Sequence, residues 1–424
     1  MAAPSALDLW LYGTHVAVLT RDDRDRIALE WTDAALDRWG ATSRVVSNLL
    51  PLGEELRPPR VKAFFDGYLP EGTARVHHAV EAGVEAADTF AMVGVYGRDL
   101  AGALIAVPAG DSPNPSDPHY EPISLAQVRQ RLENASHHTG RLDARDSFAS
   151  LPGMVPKITL HREGSQWFAC RGGAPSTWII KRGHPEGSPA RDVIDTEVLA
   201  LRCAARIGLG SVQAELLELD GVRAIAVSRY DRRPPSHDRG LGRIHQEDLA
   251  QAIGLNTDDP NRKFQRGRSQ LPSLRLAAEV LTSSGTDPDS LVALTTFNIA
   301  LGNTDMHAKN ISFLRSPRAR AQLAPAYDVS MHLHGGDHSG QFALQINAKS
   351  YVEDVAVSDL ISEATSWGVP RHRVVESIST TLDNLSTALR TERSEFPHSG
   401  VSDLAWSTAL KRVSDLQRGM PSSA

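Results

Sequence analysis

Cysteine is scarce in this chain. Its 424 residues hold only two, Cys170 and Cys203, far apart and outside any Cys-x-x-Cys spacing. That excludes a disulfide framework and a cysteine-rich zinc site, and both are expected as ordinary buried thiols. Long apolar runs are missing as well: none approaches the ~20 residues that a membrane-crossing helix needs. The N-terminus has no basic start followed by an apolar core, so no signal peptide is expected. A cytoplasmic location with no membrane association follows. Nor is there an excess of positive charge. Lys and Arg number 45 against 51 Asp and Glu, a formal charge of −6, which gives no global field for unaided nucleic-acid binding. What the chain does have is size and apolar content. With 41% hydrophobic residues it can bury a substantial core, and its length predicts two or three lobes.

The pattern along the chain divides it into four stretches. Residues 1–106 read as a small mixed unit, with strand, turn and strand over 9–19, a strand over 27–31, a short helix over 63–69 and a further element over 88–96. Residues 107–122 are crowded with Pro, Ser, Asp and Gly and read as a linker. Residues 123–235 form a β block, with strands expected at 157–161, 166–170, 177–181, 212–217 and 222–227. A helix is expected over 190–207, its apolar stripe formed by Ile194, Val198, Leu201 and Ala204. From 236 to 424 long helices are expected, at 246–253, 274–281, 291–301, 355–367, 371–389 and 402–417. This is an α+β arrangement of two lobes, a β-rich small one and an all-helical large one, and ligands tend to bind in the cleft between such lobes.

Four features carry chemistry. Residues 150–157 (SLPGMVPK) lead into the first strand of the β block. Such a loop can turn backbone N–H groups toward phosphate oxygens, with Gly153 permitting close approach; an ordinary hairpin lead-in is the alternative. Lys181 ends an apolar strand, where its ammonium can point at α- and β-phosphates or simply into solvent. Glu197 follows on the predicted helix as a partner for Lys181 or as a solvated charge. The third feature is the most telling. Gly302 opens a polar cluster of Asn303, Asp305, His307, Lys309 and Asn310 between apolar flanks. Asp305 and Asn310 have the Asp-x4-Asn spacing of a protein-kinase catalytic loop, in which the Asp accepts the substrate hydroxyl proton and the Asn binds magnesium. Lastly, Asp328 ends the apolar run 323–327; an Asp and an Asn amide oxygen suit magnesium, which takes few, hard protein ligands. A zinc or two-metal hydrolase site built from His332, His334, Asp337, His338, Asp305 and His307 is the competitor. Against it, residues 332–340 are glycine-rich and loop-like, and lack paired histidines at helical spacing.

At this point the chain resembles a known family, the HipA-like serine/threonine kinase toxins of bacterial toxin–antitoxin systems, over nearly its whole length. Residues 65–72 (FDGYLPEG) and 97–104 (GRDLAGAL) resemble the family's N-terminal signatures. Residues 150–157, 245–254 (HQEDLAQAIG), 302–310 (GNTDMHAKN) and 325–328 (PAYD) resemble those of its kinase core. The resemblance implies a protein-kinase-like fold with an added N-terminal subdomain, and an enzyme that uses ATP and Mg2+. It implies Asp305 as catalytic base, His307 beside it near the γ-phosphate, and Asn310 and Asp328 as metal ligands. Ser150, Gly153, Lys157, Lys181 and Lys309 would contact ATP, and Ser228, Arg229 and Tyr230 would form the hinge against adenine. Ser150 would also be the autophosphorylation site: a phosphate adds close to two negative charges and would expel the loop from a site built for ATP phosphates.

Pro152 and Pro156 stiffen that loop, and Ser228 stands where the family can carry an acidic residue; neither change removes the base or the metal ligands. No helix-turn-helix signature is evident, so DNA recognition is expected only indirectly, through a helix-turn-helix antitoxin partner. The family also implies a protein substrate such as an aminoacyl-tRNA synthetase. The alternatives are a catalytically inert co-repressor acting through an antitoxin, and a small-molecule kinase. Residues 255–270, polar and basic toward the end, read as a loop suited to partner or substrate contact.

Overall fold

The computed structural model describes residues 4–114, 117–137, 156–236, 240–266, 271–335, 339–396 and 400–421. The chain forms two compact units, each assembled from separated stretches: Met1–Arg182, Arg229–Arg262 and Ser312–Gln322 in the first, Gly183–Ser228, Lys263–Ile311 and Leu323–Ala424 in the second. Among the described residues no helix is long and apolar enough to cross a membrane.

In the first unit, strands Ala6–Leu11 and Thr14–Arg21 form an antiparallel hairpin flanked by Ile27–Trp31 and Ile105–Pro108. Successive side chains of a strand face opposite ways, so Leu7, Leu9 and Leu11 all turn inward. They meet Phe64, Phe65 and Tyr68 from the Pro58–Asp66 helix and its end, and Phe90, Met92 and Tyr96 from the Thr89–Tyr96 helix. A second antiparallel group runs His119–Ile123, Gln166–Arg171, Lys157–Glu163, Trp178–Arg182. The expected linker is therefore bounded by strands at both ends, Ile105–Pro108 and His119–Ile123, and a helix, Leu125–His137, follows it.

A third group, His245–Asp248, Ser312–Arg315 and Ala321–Leu323, corrects the helix expected over 246–253. Only Leu249–Ile253 is helical, and Asp248 starts it with a capping box to Gln251. The residues before Asp248 are taken by ladder bonds to Ser312–Arg315, a long-range pairing that overrides local helical preference.

The first unit also buries a network of ions. Arg229 and Arg232 both reach Asp99 and Asp231, Ser176 donates to Asp99 at 2.7 Å, and the Gly102 N–H donates to Asp231 at 2.6 Å. The guanidiniums hold the Asp99 carboxyl down to about 2 against the opposing effect of burial. This network joins residues 99–102 to 229–232, which lie far apart in sequence.

The second unit is mostly helical. Its helices are Val193–Arg206, Leu274–Ser283, Asp289–Leu301, Val357–Ser366, Arg371–Glu395 and Asp403–Arg418, close to the expected ranges. The Arg371–Glu395 helix buries Val374, Ile378, Leu382, Leu385 and Leu389, the three-and-four spacing of one helix face. Near its end, buried Glu392 pairs with Arg202 and Arg206. Two hairpins complete the unit: Ala214–Leu219 with Val222–Ser228, and Gln341–Ile346 with Lys349–Tyr351. The stretch read as all helical thus carries short strands, too brief to show a period in the sequence. Cys170 and Cys203 are both buried free thiols.

Candidate functional site

The polar cluster of 302–310 starts where the buried Asp289–Leu301 helix stops. Gly302 adopts φ +73° as the left-handed cap, and a Cβ there would lie 2.5 Å from the Leu333 side chain, so glycine is required on both counts. Three side-chain bonds then anchor the loop to the helix. Asn298 donates to the Leu294 carbonyl at 2.9 Å, Asn303 donates to Asn298 Oδ1 at 2.7 Å, and the Asp305 N–H donates to Asn303 Oδ1 at 3.0 Å. The Asp305 carbonyl in turn receives the His307 N–H at 2.8 Å and the Asn310 amide at 2.9 Å. Asp305 and Asn310 are thus joined directly, with Asp305 half-buried. Because the Asn310 amide nitrogen is committed to that carbonyl, its oxygen is the atom it can offer a cation. His307 is buried and meets the Phe264 ring edge-on at 5.3 Å.

Asp328 stands on an exposed bend with φ +54°, a left-handed conformation that Asp adopts more readily than most non-glycine residues. The preceding Tyr327 donates its hydroxyl to the Lys309 carbonyl at 2.8 Å, which ties this bend to the loop of Asp305 and Asn310. An exposed carboxylate and an amide oxygen on linked segments suit a hard cation that keeps several waters or phosphate oxygens. Among the described residues no three His, Cys, Asp or Glu cluster in a way that could hold a metal. The histidines of the hydrolase alternative are otherwise engaged. His332 accepts from the Thr304 N–H at 3.2 Å, and His334 lies 2.9–3.0 Å from the Asp192 carboxylate. Asp337 and His338 lie outside the described residues, as do Ser150, Gly153 and Pro152.

In the first unit, Lys157 and Lys181 are register partners on adjacent strands. Directly opposite residues share a sheet face, so two ammonium-bearing side chains stand side by side, a pairing invisible to motif spacing. The Arg229 guanidinium is buried in the network with Asp99 and Asp231 and donates to Ser176 at 2.8 Å. The Arg229 N–H donates to the Thr177 carbonyl, and the Ser228 N–H to Gln213. The Ser228 hydroxyl accepts the Gln213 N–H at 2.8 Å, and Tyr230 donates to Gln246. Lys309 is buried. A cavity of about 1320 Å³ in this unit is lined by Tyr12, Arg98, Tyr120, His161, Arg233 and Arg243, among others; among the described residues, none of the predicted site residues lines it. In residues 255–266, Lys263 is buried, Gln265 donates to the Ala343 carbonyl and Arg266 to Phe342; the remainder, 267–270, lies outside the described residues.

Comparison with known proteins gives the class. The chain is 28% identical to Y4mE of Sinorhizobium fredii, a protein named as a kinase, over 400 residues, 90% of each chain. It is 25% identical over 353 residues to the serine/threonine-protein kinase toxin HipA of Shewanella oneidensis, covering 80% of this chain and 79% of that one. It shares the fold of a HipA-system chain from Shewanella oneidensis, solved as HipA, HipB and operator DNA, with a TM-score of 0.80 at 22% identity over 98% of this chain and 96% of that one. The class is that of protein kinases, which use ATP. The family follows from two matches: the HipA N-terminal domain over residues 7–107 and the HipA-like C-terminal domain over residues 149–389. The chain belongs to the HipA family of kinase toxins.

Proposed function

We propose that the protein transfers the ATP γ-phosphate to a serine or threonine hydroxyl of another protein. The observation that carries this is the joined pair Asp305 and Asn310, tied through Tyr327 to the bend of Asp328. In this reading Asp305 accepts the proton as the hydroxyl oxygen attacks the γ-phosphorus and ADP leaves. Asn310 and Asp328 would hold Mg2+, which neutralises phosphate charge when bound. Lys157 and Lys181, which share one face of the sheet, are the phosphate contacts in this reading. His307 supports the catalytic loop from its buried position against Phe264.

The family membership supports a growth-inhibiting toxin that pairs with a helix-turn-helix antitoxin and meets DNA through it, as the HipA–HipB–operator complex of the Shewanella relative suggests. A translation-related substrate such as an aminoacyl-tRNA synthetase, and self-inactivation through phosphorylation of Ser150, complete the proposal. Phosphoproteomics after expression of the wild type and of Asp305→Gln tests it. New serine or threonine phosphosites in the wild type alone are expected, Ser150 among them. Identical phosphosite sets in the two samples would overturn the proposal and favour an inert co-repressor.

A further inference from the structure

Between the bend of Asp328 and residue 335, the second unit contains an arrangement that the assignments above leave unused. Residues 329–331 are buried, and the next side chains and amides bond alternately in two directions. Toward the Val193–Arg206 helix, the Met331 N–H donates to Thr196 Oγ1 at 3.1 Å, while that hydroxyl donates to the Val193 carbonyl at 2.9 Å. Farther along, His334 Nε2 lies 2.9 and 3.0 Å from the two oxygens of Asp192. The two side chains are 9% and 18% exposed, so water competes little for this bond. Toward the loop of Asp305, the His332 N–H donates to the Gly302 carbonyl at 3.3 Å. His332 Nδ1 accepts the Thr304 N–H at 3.2 Å and the Thr304 hydroxyl at 3.0 Å. Thr304 immediately precedes Asp305.

The helix end on the other side of this clamp is itself over-determined. Buried Asp195 accepts from Arg223 at 2.7 Å and from the Gly400 N–H at 2.9 Å, and a Cβ on residue 400 would lie 2.4 Å from its Oδ1. The first turn of that helix is therefore a fixed post. Residues 331–334 are strung between it and the loop that carries Asp305. The same helix carries Glu197, which is buried.

We propose that Asp192 and His334 are positioning residues that clamp residues 331–334 against the Val193–Arg206 helix, so that His332 holds Thr304, and with it Asp305, in the reactive position. This rests on the kinase reading for its catalytic consequence, though not for its mechanical one. The bond does not require a charged ring: Nε2 carries a proton in the cation and in one neutral tautomer, and in either it donates to the carboxylate. Neither residue touches substrate. Loss of the clamp therefore changes the rate at bound substrate more than the binding of ATP.

The experiment uses the full-length protein with His334→Ala, Asp192→Ala, the double variant and His334→Gln, whose side-chain amide can donate to Asp192. Lys349→Ala serves as control, because it breaks an ion pair of the same unit, with Asp359 at 2.8 Å, away from the clamp. His334→Ala and Asp192→Ala are each expected to lower kcat about tenfold or more with KM for ATP within about threefold, the size of effect expected when a supporting contact is lost. The double variant is expected to be no worse than the worse single one, and His334→Gln to recover most of the rate. The control should leave kcat unchanged. Hydrogen exchange supplies a readout independent of catalysis: the amides of Met331 and Thr304 should exchange faster in His334→Ala but not in the control, with little change in thermal midpoint. If exchange at those two amides is unchanged, the clamp does not exist, whether or not the protein is a kinase. Faster exchange with unaltered kcat in an active enzyme would overturn the positioning role. Faster exchange in a protein without phosphoryl transfer would refute the kinase reading and the catalytic role together, and leave the mechanical coupling standing.

Discussion

Glu247 shows how one side chain can govern a region far from its place in the sequence. It is fully buried, faces the Arg315 guanidinium, accepts the Ser47 hydroxyl at 2.6 Å and receives the Asn48 N–H at 2.9 Å. Replacing it by alanine leaves Arg315 as an uncompensated buried charge, so Glu247→Ala is expected to cost about 3–5 kcal/mol, read from the urea midpoint. Two residues earlier, His245 donates from Nε2 to the Val46 carbonyl at 2.7 Å. Burial holds its imidazole down to about 4. The unfolded chain, with an ordinary value near 6.5, therefore binds a proton that the native state refuses. Stability is undiminished by this group above pH 6.5 and falls between pH 6.5 and 4, by on the order of 3 kcal/mol in all. His245→Gln should flatten that part of the profile; equal slopes in the two proteins between pH 7 and 5 would contradict the account.

Among elements, the junction of the Asp289–Leu301 helix with the loop of Asp305 sets the site. Gly302→Ala forces a Cβ into the left-handed region and into Leu333, and is expected to cost about 2–4 kcal/mol with loss of phosphoryl transfer. Calorimetry and an ATP assay on the same sample check both. This junction was legible in the sequence because a glycine and five polar residues interrupt buried flanks, a contrast that survives without any tertiary information. The helices of the second unit were legible because most carry an apolar stripe and Asp289–Leu301 is apolar nearly throughout. Residues 245–248 were not: four residues carry no reliable period, and their pairing with Ser312–Arg315 arises from a strand far downstream. The burial of the Arg229 side chain was not legible either, because its partners, Asp99 and Ser176, stand far upstream in sequence. Long-range charge pairing leaves no local signal. The opposition of Lys157 and Lys181 was hidden likewise, since register is a property of the sheet and not of either strand.

On the scale of the whole molecule, the chain visits its first compact unit three times, returning with Arg229–Arg262 and Ser312–Gln322. A sequence divided into consecutive stretches at 106, 122 and 235 cannot show such returns. In the proposed reaction Asp305 drives phosphoryl transfer to protein. This is tested most directly by incubating purified wild type and Asp305→Gln with γ-labelled ATP and Mg2+ in the presence of a cell lysate. The account predicts label on protein with the wild type and a loss of roughly 100-fold or more in Asp305→Gln, the range for removal of a general base. Equal labelling by the two proteins, or none by a folded wild type, would contradict it.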